Sequence, residues 1–225
     1  MANCNFTIDH WHEMITHALE LDYHFLFFTD WLNEKPPVKR SIILRHDIDV
    51  SLELAVRQAR IESELGIKAT YFLRLHSKLY TIDNAESLKY LSEIMKSNVE
   101  IGIHYETSIY ETADEDPAEL LARDARRLSS IIGRPIVGCS AHRIGTYPAL
   151  DITTIKNAGL VFDAFSPEFV VERKYISDSA RSWREGCLCQ WLGRENHLTV
   201  LTHPIWWFKP ADCKDSILQR IRRDD

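Results

Sequence analysis

The chain has 225 residues, 45% hydrophobic and 27% charged, with a formal net charge of -6, which is ample for the core of one α/β barrel. That negative balance argues against a general nucleic-acid binder, which needs a basic face for phosphates, and no apolar run is long enough to span a membrane. Asp9, His10, His12, Glu13 and Glu20 near the start are unlike the basic, then cleanly apolar, pattern of a secretory leader, so a cytoplasmic protein is expected.

In chain order, residues 8–21 place Trp11, Ile15, Ala18 and Leu19 at helical spacing, which predicts an amphipathic helix. His10, His12, His17 and His24 sit beside no recognisable ligand pattern and read as surface or half-buried histidines. Residues 23–28 are aromatic-rich and read as a strand, and Pro36 and Pro37 mark a turn. This opening helix and strand, within residues 1–40, are expected to pack on the barrel of a single domain covering residues 1–225.

Residues 41–49, Ser-Ile-Ile-Leu-Arg-His-Asp-Ile-Asp, form an apolar run that ends in titratable groups. The pattern predicts a buried parallel strand delivering Asp47 and Asp49 to its carboxyl end. Residues two apart on a strand face the same way, so both carboxylates can enter one pocket. The plainer reading makes Asp49 a helix cap and leaves Asp47 in solvent.

Strand-like and helix-like segments then alternate. Residues 51–65 form a helix ending at Gly66, 68–74 a strand, 84–95 a helix capped by Asn84, and 99–104 a strand ending in His104. Asp116-Pro117 opens a helix that runs to Gly133, an acidic cap followed by proline at the first helical position. Residues 135–140 read as a strand leading to His142 and Arg143, 148–157 as a helix, and 160–164 as a strand. Residues 166–186 read as a long loop, 187–192 as a strand, 198–202 as a strand ending in His203, and 211–222 as the closing helix.

Five cysteines are an odd count without a secretory leader, so no disulfide framework is expected. Cys187 and Cys189 lack a second pair that would complete a zinc knuckle, and read as buried or incidental thiols.

The alternation predicts a mostly parallel sheet flanked by helices, and the absence of a glycine-rich nucleotide fingerprint favours a barrel over an open sheet. Asp47, Asp49, His104, His142, Arg143 and His203 all fall at carboxyl ends of strands, where barrels keep their working residues. Carboxylates and imidazoles on one rim suit a borderline divalent metal such as zinc, with cobalt, nickel or manganese as alternatives, and the activation of water.

Three segments carry a family resemblance: Arg45-His46-Asp47-Ile48-Asp49, Glu100-Ile101-Gly102-Ile103-His104 and Leu201-Thr202-His203-Pro204. They resemble motifs of the NodB-homology polysaccharide deacetylases, metal-dependent hydrolases on a distorted, incomplete (β/α) barrel. With Ala-Thr-Tyr-Phe at 69–72, Ser-Asp-Ser at 177–179 and His-Pro-Ile-Trp-Trp at 203–207, the chain is also similar to a WbmS-like branch associated with bacterial surface-polysaccharide synthesis. The resemblance implies Asp47 as general base, Asp49 and His104 as metal ligands, His203 as general acid and Arg143 as the group holding Asp47 ionised. Where the family has a second histidine four residues after the first, this chain has Ser108. The third ligand is therefore expected from His142, with Glu106 as the alternative.

For an oligosaccharide or smaller substrate, Tyr105, Tyr147, Trp206 and Trp207 are candidates to stack on a sugar ring, and Asp178 and Arg181 to bond its polar edges; core packing is the plainer role for the aromatics. The expected activity is removal of an acyl group, acetyl foremost, from an amino sugar. The alternatives are hydrolysis of another C–N amide bond and a non-catalytic carbohydrate-binding or assembly protein on the same fold.

Overall fold

The computed structural model describes residues 4–33, 37–142 and 147–224. Its strands are β1 (His24–Leu26), β2 (Ser41–Ile48), β3 (Ala69–Leu73), β4 (Val99–Glu106), β5 (Gly138–His142), β6 (Phe162–Asp163), β7 (Lys174–Ser177) and β8 (His197–Thr202). Its helices are α1 (Ile8–Glu20), α2 (Phe28–Asn33), α3 (Leu52–Glu64), α4 (Ala85–Ile94), α5 (Thr107–Thr112), α6 (Pro117–Ile132), α7 (Ile152–Asn157), α8 (Pro167–Val170), α9 (Pro204–Phe208) and α10 (Lys214–Asp224). The strands make one parallel sheet in the order β6-β5-β4-β3-β2-β8-β7. β1 pairs with the first half of β2, and β3 takes over along the second half.

The sheet curls without closing, so this is the incomplete barrel expected from the alternation. β6 and β7 are its two edges, and the Phe165 and Tyr175 rings meet between them, 6.2 Å apart. The helix ends follow local chemistry. Ser51, Asn84 and Asp116 each accept a backbone N–H in the first turn of α3, α4 and α6, and Gly133 ends α6 at a φ of 69°.

Alternation along each strand separates inside from outside. On β2, Ile42, Leu44 and Ile48 join the outer core under the helices, where His46 also reaches Glu62 of α3 at 2.7 Å. Ile43 faces inward with Phe28, Phe72, Phe162 and Phe169, an aromatic plug in the lower barrel. The Phe162 ring covers Gly138 on the neighbouring strand: a Cβ there would sit 2.0 Å from Phe162 Cζ, so any larger residue must displace the ring. With the lower barrel filled by rings, the inward positions of the upper rim are left for polar groups.

Three segments differ from the sequence expectation. Residues 187–192 are not a strand: Gly186, at a φ of 91°, turns the chain into a tight 3-10 turn over Leu188–Gln190, whose bonds close locally through Gln190 N–H to Cys187 O and Trp191 N–H to Leu188 O. The expected loop at 166–186 contains α8 and β7, and β7 pairs with β8. The aromatic run at 23–28 keeps strand geometry only over β1, because the Asp30 carboxylate accepts the Phe27 N–H at 2.9 Å and starts α2.

Candidate active site

Four strand ends meet at the rim. Asp47 ends the inward series on β2, Asp49 follows it, His104 lies on β4, His142 closes β5 and His203 follows β8. Register joins them: His104 is opposite Ser140, and Glu106 opposite His142. Asp49 Oδ1 lies 3.3 Å from His104 Nε2 and 3.6 Å from His142 Nε2, and Asp49 Oδ2 lies 3.7 Å from His203 Nε2. All four side chains are buried at the end of a groove of about 580 Å3, whose walls include Phe165, Tyr175, Leu201 and Trp206.

Asp49, His104 and His142 each offer one ligand atom, the three within 4.8 Å of one another. His104 Nδ1 is 3.0 Å from the Ser140 carbonyl, a bond it makes as donor, which leaves the Nε2 lone pair toward Asp49. Asp49 Oδ1 is buried and accepts no hydrogen bond. An anionic oxygen facing imidazole lone pairs calls for a positive charge between them, and one carboxylate with two imidazoles suits zinc and its neighbours in the transition series. The residues present therefore fit a divalent metal.

The electrostatics agree. Burial foremost, with His104 and Arg74, drives His142 down to about 3 against the pull of Asp49 and Glu106, so its ring is neutral and able to ligate. Burial disfavours the Asp49 carboxylate, but the surrounding imidazoles, His142 foremost, outweigh it and hold Asp49 below the ordinary carboxylate range.

Arg45 stands two residues before Asp47 on the same face of β2. Its Nη2 donates to both Asp47 oxygens, at 2.8 and 2.7 Å, and its Nε donates to one of them at 3.2 Å. The guanidinium also bonds Ser140 Oγ and is sandwiched between the Phe72 and Phe165 rings, 4.9 and 4.6 Å from their centroids. Burial would raise the Asp47 carboxyl, and Arg45 more than reverses this, with help from His104 and His203, so it is lowered and ionised. Arg45 thus holds Asp47 ionised; Arg143, of which that role was expected, lies outside the described residues.

On the opposite wall, Asp178 accepts from His203 Nδ1 at 2.6 Å, from the His203 backbone N–H at 3.1 Å and from Trp207 Nε1 at 3.0 Å. Burial pulls the His203 imidazole down, but Asp178, aided by Asp49 and Asp47, overrides it and lifts the ring to about 9. His203 is thus protonated at neutral pH, with Nε2 facing the groove residues.

Several expected contacts fall elsewhere. Asp178 is fully buried beneath His203 and presents nothing to a sugar. Tyr105 faces the helices because odd positions of β4 point outward; its hydroxyl accepts the Leu150 N–H and its ring meets Tyr110. Trp207 packs between Trp11, Phe6 and Trp183. Arg181 donates to the Lys209 and Pro210 carbonyls. Tyr147, 36% exposed, does not line the groove, whereas Trp206 does. Glu106 is taken by Arg74, whose Nε donates to it at 2.7 Å, so His142 rather than Glu106 completes the cluster.

The sequence matches no protein-family model and no curated protein. Solved structures do match. A mutant of the peptidoglycan deacetylase PdaC of Bacillus subtilis superposes with a TM-score of 0.53 at 12% identity, over 83% of this chain and 85% of that one. A family 4 carbohydrate esterase from Bacillus anthracis gives 0.51 at 14% identity, over 92% and 83%. A mutant of a family 4 pseudoenzyme with restored enzymatic activity gives 0.51 at 17% identity, over 84% of this chain but only 63% of that one. The fold is that of the family 4 carbohydrate esterases. On this barrel the rim described above lies at the carboxyl ends of the strands, the usual place for barrel chemistry.

Proposed function

We propose that this chain is a metal-dependent hydrolase that removes an N-acyl group, acetyl foremost, from an amino sugar of a surface polysaccharide or its precursor. The observation that carries the reading is the convergence of the Asp49–His104–His142 cluster with a clamped carboxylate, Asp47, on one side and a carboxylate-backed imidazolium, His203, on the other.

A divalent cation held by Asp49, His104 and His142 would supply Lewis acidity toward a water and the acyl oxygen. Asp47, kept ionised and fixed in direction by Arg45, takes the proton of the attacking water as its oxygen bonds to the acyl carbon. His203 gives its Nε2 proton to the sugar nitrogen as the C–N bond breaks, and Asp178 keeps Nδ1–H in place throughout. The products are a carboxylic acid and the free amine. The rings of Phe165, Tyr175 and Trp206 offer an apolar wall for the C–H face of a sugar.

Acetate release from a panel of N-acetylated sugars, with the protein loaded with zinc, cobalt, nickel or manganese, tests the reading. Turnover that disappears in Asp47→Asn while sugar binding persists supports it. A second reading, a carbohydrate-binding protein without turnover, is favoured by Ser108 standing where the family has an imidazole, and binding without turnover under any of these metals would select it. Turnover confined to non-sugar amides would select a different C–N hydrolase.

A further inference from the structure

Three of the five cysteines gather at a place apart from the residues that line the groove. Cys4, Cys187 and Cys189 meet His10 of α1, each contributing one ligand atom, with all four atoms within 4.8 Å of one another. Cys4 Sγ and Cys189 Sγ are 3.3 Å apart, and His10 Nε2 is 3.3 Å from Cys187 Sγ. We propose that these four residues form a second, structural metal site of the Cys3His type, taking zinc.

The edges of a tetrahedron built on ordinary zinc–sulfur and zinc–nitrogen bonds are about 3.5–3.8 Å. Two of the separations, at 3.3 Å, fall just under that figure and all lie within 4.8 Å, so the cluster needs only small adjustments to close around an ion. Soft thiolates with one imidazole select zinc over the hard cations. His10 has the support expected of a ligand: its Nδ1 lies 3.4 Å from Glu13 Oε2, which leaves Nε2 for the sulfur cluster. His10 and Cys187 are buried, and Met14 Sδ lies 3.3 Å from Cys187 Sγ, so the inner side of the site is shielded from water. In the sequence, the Cys187–Cys189 pair lacks partners at knuckle spacing. The fold supplies them from the other end of the chain, more than 170 residues away.

Such an ion would tie the segment before α1 to the turn after Gly186. Phe6, two residues beyond Cys4, stacks on Trp183 with centroids 6.0 Å apart and leans on Trp207 at 5.2 Å. Trp207 in turn donates to Asp178, the carboxylate behind His203. The site thus braces the outer wall of the groove. It does not depend on what the groove does.

Cobalt substitution tests the proposal on the full chain. Protein purified under reducing conditions, with the groove cluster disabled by Asp49→Ala and His104→Ala, should bind one cobalt per chain. It should show intense thiolate-to-cobalt charge-transfer absorption and tetrahedral visible bands, both abolished by stoichiometric zinc. Cys4→Ser, at an exposed position, should weaken binding roughly a hundredfold, and His10→Asn, within α1, should do the same. No thiolate band in the reduced protein, a band indifferent to both substitutions, or a Cys4–Cys189 disulfide in its place would each overturn the assignment.

Discussion

Replacing Asp178 by Asn isolates the acid half of the mechanism. The Asp178 carboxylate accepts His203 Nδ1–H on one oxygen and both the His203 N–H and Trp207 Nε1–H on the other. An asparagine keeps its carbonyl toward those last two donors and turns its NH2 onto Nδ1. Nδ1 must then accept, and the ring becomes a neutral imidazole with its proton on Nε2, a far weaker acid. General acid catalysis is worth about 10²–10⁴ in rate, or about 2.7–5.4 kcal/mol of barrier. The expected result is a fall in kcat of about a hundredfold or more on an N-acetyl sugar, with KM within a few-fold. The fold should lose only about 1–2 kcal/mol, since two of the hydrogen bonds survive and the third is reversed with the loss of its charge. The control is 4-nitrophenyl acetate, whose leaving group departs without a proton, and its turnover should fall by less than about tenfold. Equal losses on both substrates, or a kcat on the amide within threefold of wild type, would refute the assignment of His203 as the acid.

Arg45→Met should cost about 3–5 kcal/mol in urea unfolding, because it strands the buried Asp47 charge, and adding Asp47→Asn should restore at least half of that loss. His76 lies 2.6 Å from Asp124, and this hydrogen bond, against burial, raises its ring above the ordinary 6.5. Its stabilisation is complete below pH 6.5 and is lost as pH rises through the raised value, so the Tm decline from 6.5 upward should be shallower in His76→Gln. Gly138→Ala drives a methyl into the Phe162 ring and should destabilise the protein by about 1–3 kcal/mol in the same unfolding assay, with Gly138→Ala/Phe162→Leu less affected than the sum of the two single changes.

The parts of the site written within one strand were legible. Asp47 and Asp49 share a face because they are two apart, and the apolar run before them marks a buried strand, so their pocket follows from periodicity. Arg45 carries the same signal, two residues earlier on that face, and its clamp on Asp47 follows from the same periodicity. The convergence of His104 and His142 on Asp49 followed from strand ends, but other pairings between distant segments were not legible. Asp178 reaches His203 because β7 runs beside β8, with Ser177 opposite Leu201, and β7 is too short and too polar at its ends to announce itself. Residues 187–192 have the composition of a strand, but Gly186 decides their path. Tyr105 and Trp207 show the limit of reading aromatics beside a motif: one residue along a strand, or a few along a helix, turns a ring from the groove into the core.

The proposed chemistry requires a cation on Asp49, His104 and His142. Anomalous scattering from crystals grown with zinc, measured above and below the zinc edge, tests it most directly. A peak is expected about 2.0–2.2 Å from one Asp49 oxygen and from Nε2 of both imidazoles. A well-ordered rim with no peak there, or a peak whose third ligand is Glu106 with His142 turned away, would contradict it.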